Sequence, residues 1–187
     1  EKLMARMRAV PHTCTEAELL VHCVAAKAII DKYRATAAPV RNLWRKLKGL
    51  IEHSLYEGNE VTFKCVTFRK EELVLPSGMS IRYTGLRKTE NGWRYGEDSV
   101  LHEGRLTNNL VQGVARCVMT DGMLRVGRRY FVAGTVHDEL ISVVPNEEVK
   151  DAVPWVEAKM TKTPIYMPGI PLAAGVGAHE RYGKAKE

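Results

Sequence analysis

Tyr130-Phe131-Val132-Ala133-Gly134-Thr135-Val136-His137-Asp138-Glu139-Leu140-Ile141-Ser142-Val143-Val144 sets two apolar, β-prone runs on either side of His137-Asp138-Glu139. A connection that short permits only an antiparallel hairpin. Charged residues are depleted from apolar strands, so an acidic pair at this point needs a reason. Three readings compete: an exposed turn, where carboxylates solvate well; a structural ion pair; and a hard-cation site, in which carboxylate oxygens on a rigid turn hold Mg²⁺ beside an imidazole that positions an anion. Two-metal phosphoryl transfer needs more than this pair, because neighbouring residues of extended chain project to opposite faces. A second bridging ligand is therefore expected from a different strand. No other carboxylate of the chain has a comparable strand-end setting, so the stretch reads as half a site.

Pro145 ends the second strand, and Asn146 before Glu147-Glu148-Val149-Lys150 starts a helix predicted to reach about Met160. Beyond it, residues 165–184 read as an extended tail ending beside the sheet. On the other side of the hairpin, Leu110, Val111, Val114, Ala115, Val118 and Met119 share one face of a helix predicted over 106–125, packed under a sheet. Thr89 to Asp98 reads as a polar connection. Glu72–Leu75 and Met79–Tyr83 flank Pro76-Ser77-Gly78 as a hairpin. Val61 to Phe68 alternates in a β-branched run and reads as one strand.

The front of the chain is helical. Thr15-Glu16-Ala17-Glu18 forms a capping box, after which Leu19, Leu20, Cys23, Val24, Ala26 and Ile30 give one apolar face as far as about Arg34. Pro39 opens a second helix with Val40, Leu43, Trp44, Leu47, Leu50 and Ile51 on its apolar side. Arg41, Arg45, Lys46 and Lys48 decorate the remainder and read as a solvated face. No repeat or low-complexity linker intervenes, so the expectation is a continuous α+β unit: a helical part over residues 1–60 and a strand-rich part over 61–187.

The 187 residues carry 28 Lys plus Arg against 22 Asp plus Glu, a net charge of +6, and a pI near 9.2. This balance favours anionic partners, nucleic acid first among them. Cys14, Cys23, Cys65 and Cys117 are scattered without a C-x-x-C pair and no signal peptide or long apolar run precedes them, which fits a reduced, cytoplasmic compartment and no membrane. His12, Cys14, His22 and Cys23 do not read as a zinc site, since adjacent helical residues point apart. The first residue is Glu1 rather than Met, and a fragment or processed product is expected.

Taken together, these segments resemble the C-terminal third of the bacterial DNA polymerase I family, family A, in its phage branch. Thr135-Val136-His137-Asp138-Glu139-Leu140 is similar to the family's third polymerase motif. Gly104-Arg105-Leu106-Thr107-Asn108-Asn109-Leu110-Val111-Gln112-Gly113-Val114-Ala115-Arg116 is similar to its G-x-L-T-x-N-x-V-Q-x-x-A-R helix. Pro168-Gly169-Ile170-Pro171-Leu172 and Arg181-Tyr182-Gly183 resemble its terminal segment. Tyr33-Arg34 with Trp44 resembles the helices after the fingers, and Glu1-Lys2-Leu3 the residues directly after the fingers helix.

The resemblance implies helices bordering the fingers, followed by an antiparallel palm sheet with a catalytic β-hairpin. It implies that Asp138 ligates catalytic Mg²⁺, that Glu139 assists at the metal and that His137 contacts the primer-terminal phosphate. Asn109 and Gln112, with Asn108 beside them, would touch primer–template DNA through minor-groove edges shared by all correct pairs; Arg116 would support a phosphate or, preferably, the fold. The first motif, with the other metal-binding Asp, and the second, which binds the incoming deoxynucleoside triphosphate, are missing. The implied two-metal site is thus completed by residues outside this chain, in the same gene product or a separate subunit, and the chain alone is expected to be inactive. Its implied setting is the cytoplasm of a bacterial host. Two departures stand out: Gly175-Val176-Gly177 lacks an acidic residue expected after the alanine pair, and Cys117 stands where Asp is frequent, read as the loss of a helix-surface contact. Two rivals stand beside this reading, a non-catalytic duplex-binding module derived from a palm and a stand-alone metal-dependent phosphohydrolase.

Overall fold

A computed structural model describes residues 4, 5 and 13–182. Glu1-Lys2-Leu3, His12 and Gly183, which entered the sequence reading, lie outside the described residues. The fold is α+β, with four helices and antiparallel sheets among residues 13–182. The chain divides into two compact units, residues 1–47 and 48–187, a boundary ahead of the change of period at residue 61.

In the first unit, helix α1 spans Glu16–Thr36. Its capping box forms as expected: the Glu18 amide donates to Thr15 Oγ1 at 3.3 Å, and the Thr15 amide donates to Glu18 Oε2 at 2.7 Å. These two bonds satisfy donors that the first helical turn leaves free. Helix α1 buries Leu19 and Cys23, whereas Leu20, Val24 and Ile30 stay exposed, so the face that is covered is narrower than the apolar pattern suggests. Thr36 Oγ1 donates to the carbonyls of Lys32 and Tyr33 where α1 ends. Helix α2 follows over Ala38–Leu50.

The end of α2 crosses into the second unit and runs on into a π-helical turn, Ile51–Tyr56, which buries Ile51, Ser54 and Leu55. Ser54 Oγ donates to the Asn59 carbonyl at 2.6 Å, satisfying this buried hydroxyl. Four strands then form one antiparallel sheet in sequential order: β1 (Val61–Phe63), β2 (Val66–Arg69), β3 (Glu72–Val74) and β4 (Ser80–Arg82). The single strand expected over 61–68 is corrected here. Lys64 turns the chain with φ 57°, and Phe63 pairs with Val66, folding the alternating run back on itself. The expected turn at Pro76-Ser77-Gly78 joins β3 to β4, with Leu75 N–H donating to the Met79 carbonyl. Phe68 and Leu73, paired across β2 and β3, are fully buried, each contributing about 1.5–3 kcal/mol of hydrophobic stabilisation.

The polar stretch over 89–98, to which the sequence assigned no strand, lies within a second, three-stranded antiparallel sheet. Its strands are β5 (Arg87–Thr89), β6 (Gly92–Tyr95) and β7 (Ser99–Leu101). Glu90-Asn91 turns β5 into β6, and Gly92 has φ 106°, a conformation that side chains disfavour. Asp98 accepts from both Arg87 and Arg94 across the sheet. Tyr56 of the π-helical turn stacks tilted on Trp93, with centroids 5.0 Å apart.

Helix α3 spans Glu103–Val126, its first amides capped by His102 Nδ1. It packs on the β3–β4 hairpin: a Cβ at Gly113 would lie 2.8 Å from Leu75 Cδ2. The buried residues of α3 are Leu106, Val114, Cys117, Gly122 and Val126, while Val111 and Ala115 are exposed. Of the expected apolar face Val114 is buried and Leu110, Val118 and Met119 are half-buried, so it holds in part; Gly113 and Cys117, small residues that admit a close approach, turn inward beside it. Cys117 is therefore a core residue, 3% exposed, and not a surface position.

Strands β8 (Phe131–Val136) and β9 (Glu139–Val143) form the expected hairpin as a separate two-stranded sheet. A single antiparallel sheet was expected; the described residues form three. After a 3₁₀ turn at Asn146–Glu148, helix α4 spans Val149–Met160. Asn146 does not cap it; the residue before its first turn is Glu148. Val126, Tyr130, Ala152 and Val156 make the core under the hairpin, with Val132, Leu140 and Val144 packed on it. Gly122 lets α4 come close, since a Cβ there would meet Met160 Sδ at 2.8 Å. Residues 165–182 form no strand, although Val176 reaches this core.

Glu148 ties the base of the hairpin, accepting from Arg129 Nη2 at 2.9 Å and from Tyr130 Oη at 3.0 Å. The Arg129 guanidinium, then the Tyr130 hydroxyl, holds its carboxyl below the usual value of 4.5. A depressed pKa gives stability that is present above the unfolded-state value and lost as pH falls through the folded one. The melting temperature should therefore drop on acidification more steeply in the wild type than in Glu148→Gln, with the two curves converging at low pH when followed by circular dichroism.

Candidate functional site

The hairpin register pairs Val136 with Glu139, so the connection is the two-residue turn His137-Asp138. His137 sits in the left-handed region with φ 54°, a conformation that costs a non-glycine residue about 1 kcal/mol. A two-residue hairpin turn requires positive φ to match the strand twist. The fold thereby separates the three residues chemically. His137 and Asp138 stand exposed at the tip, and Glu139 is half-buried as the first residue of β9. A register shift between Val132 and Gly134 bends β8 on its way to this tip.

Glu139 is held from a distance in sequence. Tyr182 Oη donates to Glu139 Oε2 at 2.8 Å, bringing the C-terminal tail to the start of β9. Asp138 and His137 make no side-chain hydrogen bond or ion pair among the described residues. Asp138 thus offers a solvated carboxylate to an incoming partner. No group of three or more His, Cys, Asp or Glu that could hold a metal ion occurs among the described residues. The tip is able to contribute a ligand and does not gather a full coordination shell.

On α3, Asn108, Gln112 and Arg116 recur every fourth residue and are all exposed, one stripe of a helix. Asn109 is turned the other way: its Nδ2 donates to Tyr83 Oη at 3.0 Å. Tyr83 is fully buried and meets Tyr95 edge-on at 5.2 Å. Burial pushes its phenol pKa up, so the hydroxyl stays protonated while it accepts from Asn109. Asn109 therefore ties α3 to Tyr83, just after β4, and Asn108 is the exposed member of the pair. No hydrogen bond or ion pair among the described residues joins the α3 stripe to the hairpin tip.

Sequence reading missed the roles of Glu148 and Tyr182, each defined by a partner that only the fold brings near. The tail tyrosine had a signal in the matched Arg181-Tyr182 pair; Glu148 had none beyond its place before α4. Among the described residues no helix is long and apolar enough to cross a membrane. Comparison of the chain with protein-family models, with curated proteins and with solved structures finds no match.

The left-handed turn is testable by itself. A β-branched residue is poorly tolerated at positive φ, so His137→Val should cost about 1–2 kcal/mol of stability. His137→Asn should cost little, because Asn adopts that region readily. Urea denaturation of the two variants measures the difference.

Proposed function

We propose that this chain is the C-terminal palm part of a family A DNA polymerase. In the complete enzyme a primer 3′-hydroxyl attacks a deoxynucleoside triphosphate under template direction and releases pyrophosphate. The observation that carries the reading is the His137-Asp138 turn. It leaves an unpartnered carboxylate at the end of a hairpin whose base is packed and whose neighbour Glu139 is tethered. A ligand to be shared with another chain segment needs this combination of a rigid mount and a free head group.

Asp138 offers the hard oxygen that Mg²⁺ prefers, and in this reading the chain contributes one ligand to a site completed by another portion. When bound, the metal pair stabilises the charge on the attacking and leaving oxygens. The chain's own residues hold and position. Glu139, oriented by Tyr182, stands next to the ligand, and His137 at the same tip is placed to meet a phosphate. The α3 stripe of Asn108, Gln112 and Arg116 faces the duplex, offering amides to minor-groove acceptors common to all base pairs. Asn109 acts through Tyr83 by fixing the helix. The partner portion carries the first two motifs, and the setting is the cytoplasm of a bacterial host.

The incomplete ligand set also suits a duplex-binding module without catalysis, and one experiment separates the two. The full chain mixed with a family A portion carrying the first two motifs should extend a labelled primer with Mg²⁺ and deoxynucleoside triphosphates. Asp138→Ala should reduce extension at least about 10³-fold, the scale of losing an essential electrostatic group. Extension that survives the substitution removes Asp138 from the catalytic ligands, and no extension by any mixture favours the binding module.

A further inference from the structure

Among the described residues Arg69 pairs with Glu60, Arg82 with Glu72, Lys88 with Glu52, Arg87 and Arg94 with Asp98, Arg125 with Asp121 and Arg129 with Glu148. Other cations, among them Lys64, Lys70 and Arg116, form no ion pair there; what sets α2 apart is a run of cations with no carboxylate among them. Between Asp31 and Glu52 every charged residue is a cation, namely Lys32, Arg34, Arg41, Arg45, Lys46 and Lys48. Arg41, Arg45 and Lys46 are exposed, and none forms an ion pair among the described residues. Arg45 Nη1 donates to Asn42 Oδ1 at 3.0 Å, which orients its guanidinium without cancelling its charge.

Like charges one turn apart on a helix destabilise it, and Arg41 and Arg45 form such an i,i+4 pair. A carboxylate at a neighbouring position would relieve it, yet α2 has none. Leu43, Trp44 and Leu47 are partly or fully covered and Val40 is the one large apolar side chain exposed on α2, so no broad wedge of such side chains accompanies the cations. A membrane-surface helix needs such a wedge beside its charges, whereas a phosphate backbone needs only the charges.

We propose that Arg41, Arg45 and Lys46 on α2 form a second, sequence-independent contact for duplex DNA through its phosphates. These residues are not those of the hairpin tip, and their contact with DNA does not depend on polymerase chemistry there. A guanidinium pair one turn apart matches the rigid, multi-donor geometry that phosphate oxygens accept. Binding would be electrostatic, steeply salt-dependent and blind to base identity.

The test is fluorescence anisotropy of the full chain with a labelled random-sequence duplex over a salt series. R41Q/R45Q/K46Q should weaken binding, and the slope of log K against log salt should become shallower by about 0.9 for each phosphate contact removed. A charge-matched control, R69Q/R82Q/K88Q, removes cations that already have carboxylate partners and should leave affinity and slope close to wild type. Circular dichroism melts confirm that both variants fold. Equal weakening by the two sets would overturn the proposal, since net charge alone would then govern binding, and so would unchanged binding by the α2 variant. Vesicles containing phosphatidylserine form the third arm: loss of vesicle binding with DNA binding retained would assign the face to membranes and overturn it likewise. Asp138→Ala should keep this binding, so a failed polymerase assignment and a failed α2 contact give different results.

Discussion

The turn at His137 and Asp138 is the constraint from which the candidate site follows. A hairpin with a two-residue connection has one register, and a slip by a single position would exchange every inward and outward side chain of β8 and β9. With Val136 opposite Glu139, Leu140 faces the core with Val132 and Val144. Asp138 is then left at the apex with no strand partner. The left-handed φ of His137 is the local strain that this register requires, and the packed base of the hairpin offsets it. Remove the register and neither the free carboxylate nor the tethered Glu139 has a fixed place.

Isolated two-stranded hairpins are marginal in water, so the mount has to come from elsewhere. It comes from three directions. Tyr130 and Val132 join Val126 of α3 and Ala152 and Val156 of α4 in one apolar cluster. Trp155 meets Tyr130 edge-on at 5.4 Å, and the Arg129 guanidinium lies over both rings. Glu148 closes the arrangement by accepting from Arg129 and Tyr130. The tip is thus a solvent-facing carboxylate on a base fixed by packing, aromatic contact and charge-assisted hydrogen bonds.

Much of this was legible in residues whose signal is local. The Thr15 to Glu18 capping box, the Pro76-Ser77-Gly78 turn, the helix before the hairpin and the hairpin itself all follow from side chains acting on their own backbone. Where the sequence misled, the deciding contact was remote or the turn used an unusual residue. Lys64 carries no turn preference, and its positive φ is imposed by pairing β1 on β2. The 87–101 sheet hides behind its charges, although Asn91-Gly92 is a strong hairpin signal that could have revealed it. Cys117 looks like a surface substitution until the close approach of α3 at Gly113 turns it inward. At the site, the acidic tip could be read from its flanks, whereas the inward turn of Asn109 and the reach of Tyr182 could not.

The central claim is that Asp138 is one ligand of a divalent-cation site completed from outside the chain. Paramagnetic broadening of amide resonances by Mn²⁺ reads this most directly. Broadening centred on residues 137–139 should be weak for the chain alone and should saturate at far lower Mn²⁺ once the portion with the first two motifs and a primer–template duplex are added. Tight binding by the chain alone, or a complex whose broadening leaves the hairpin tip untouched, would contradict it.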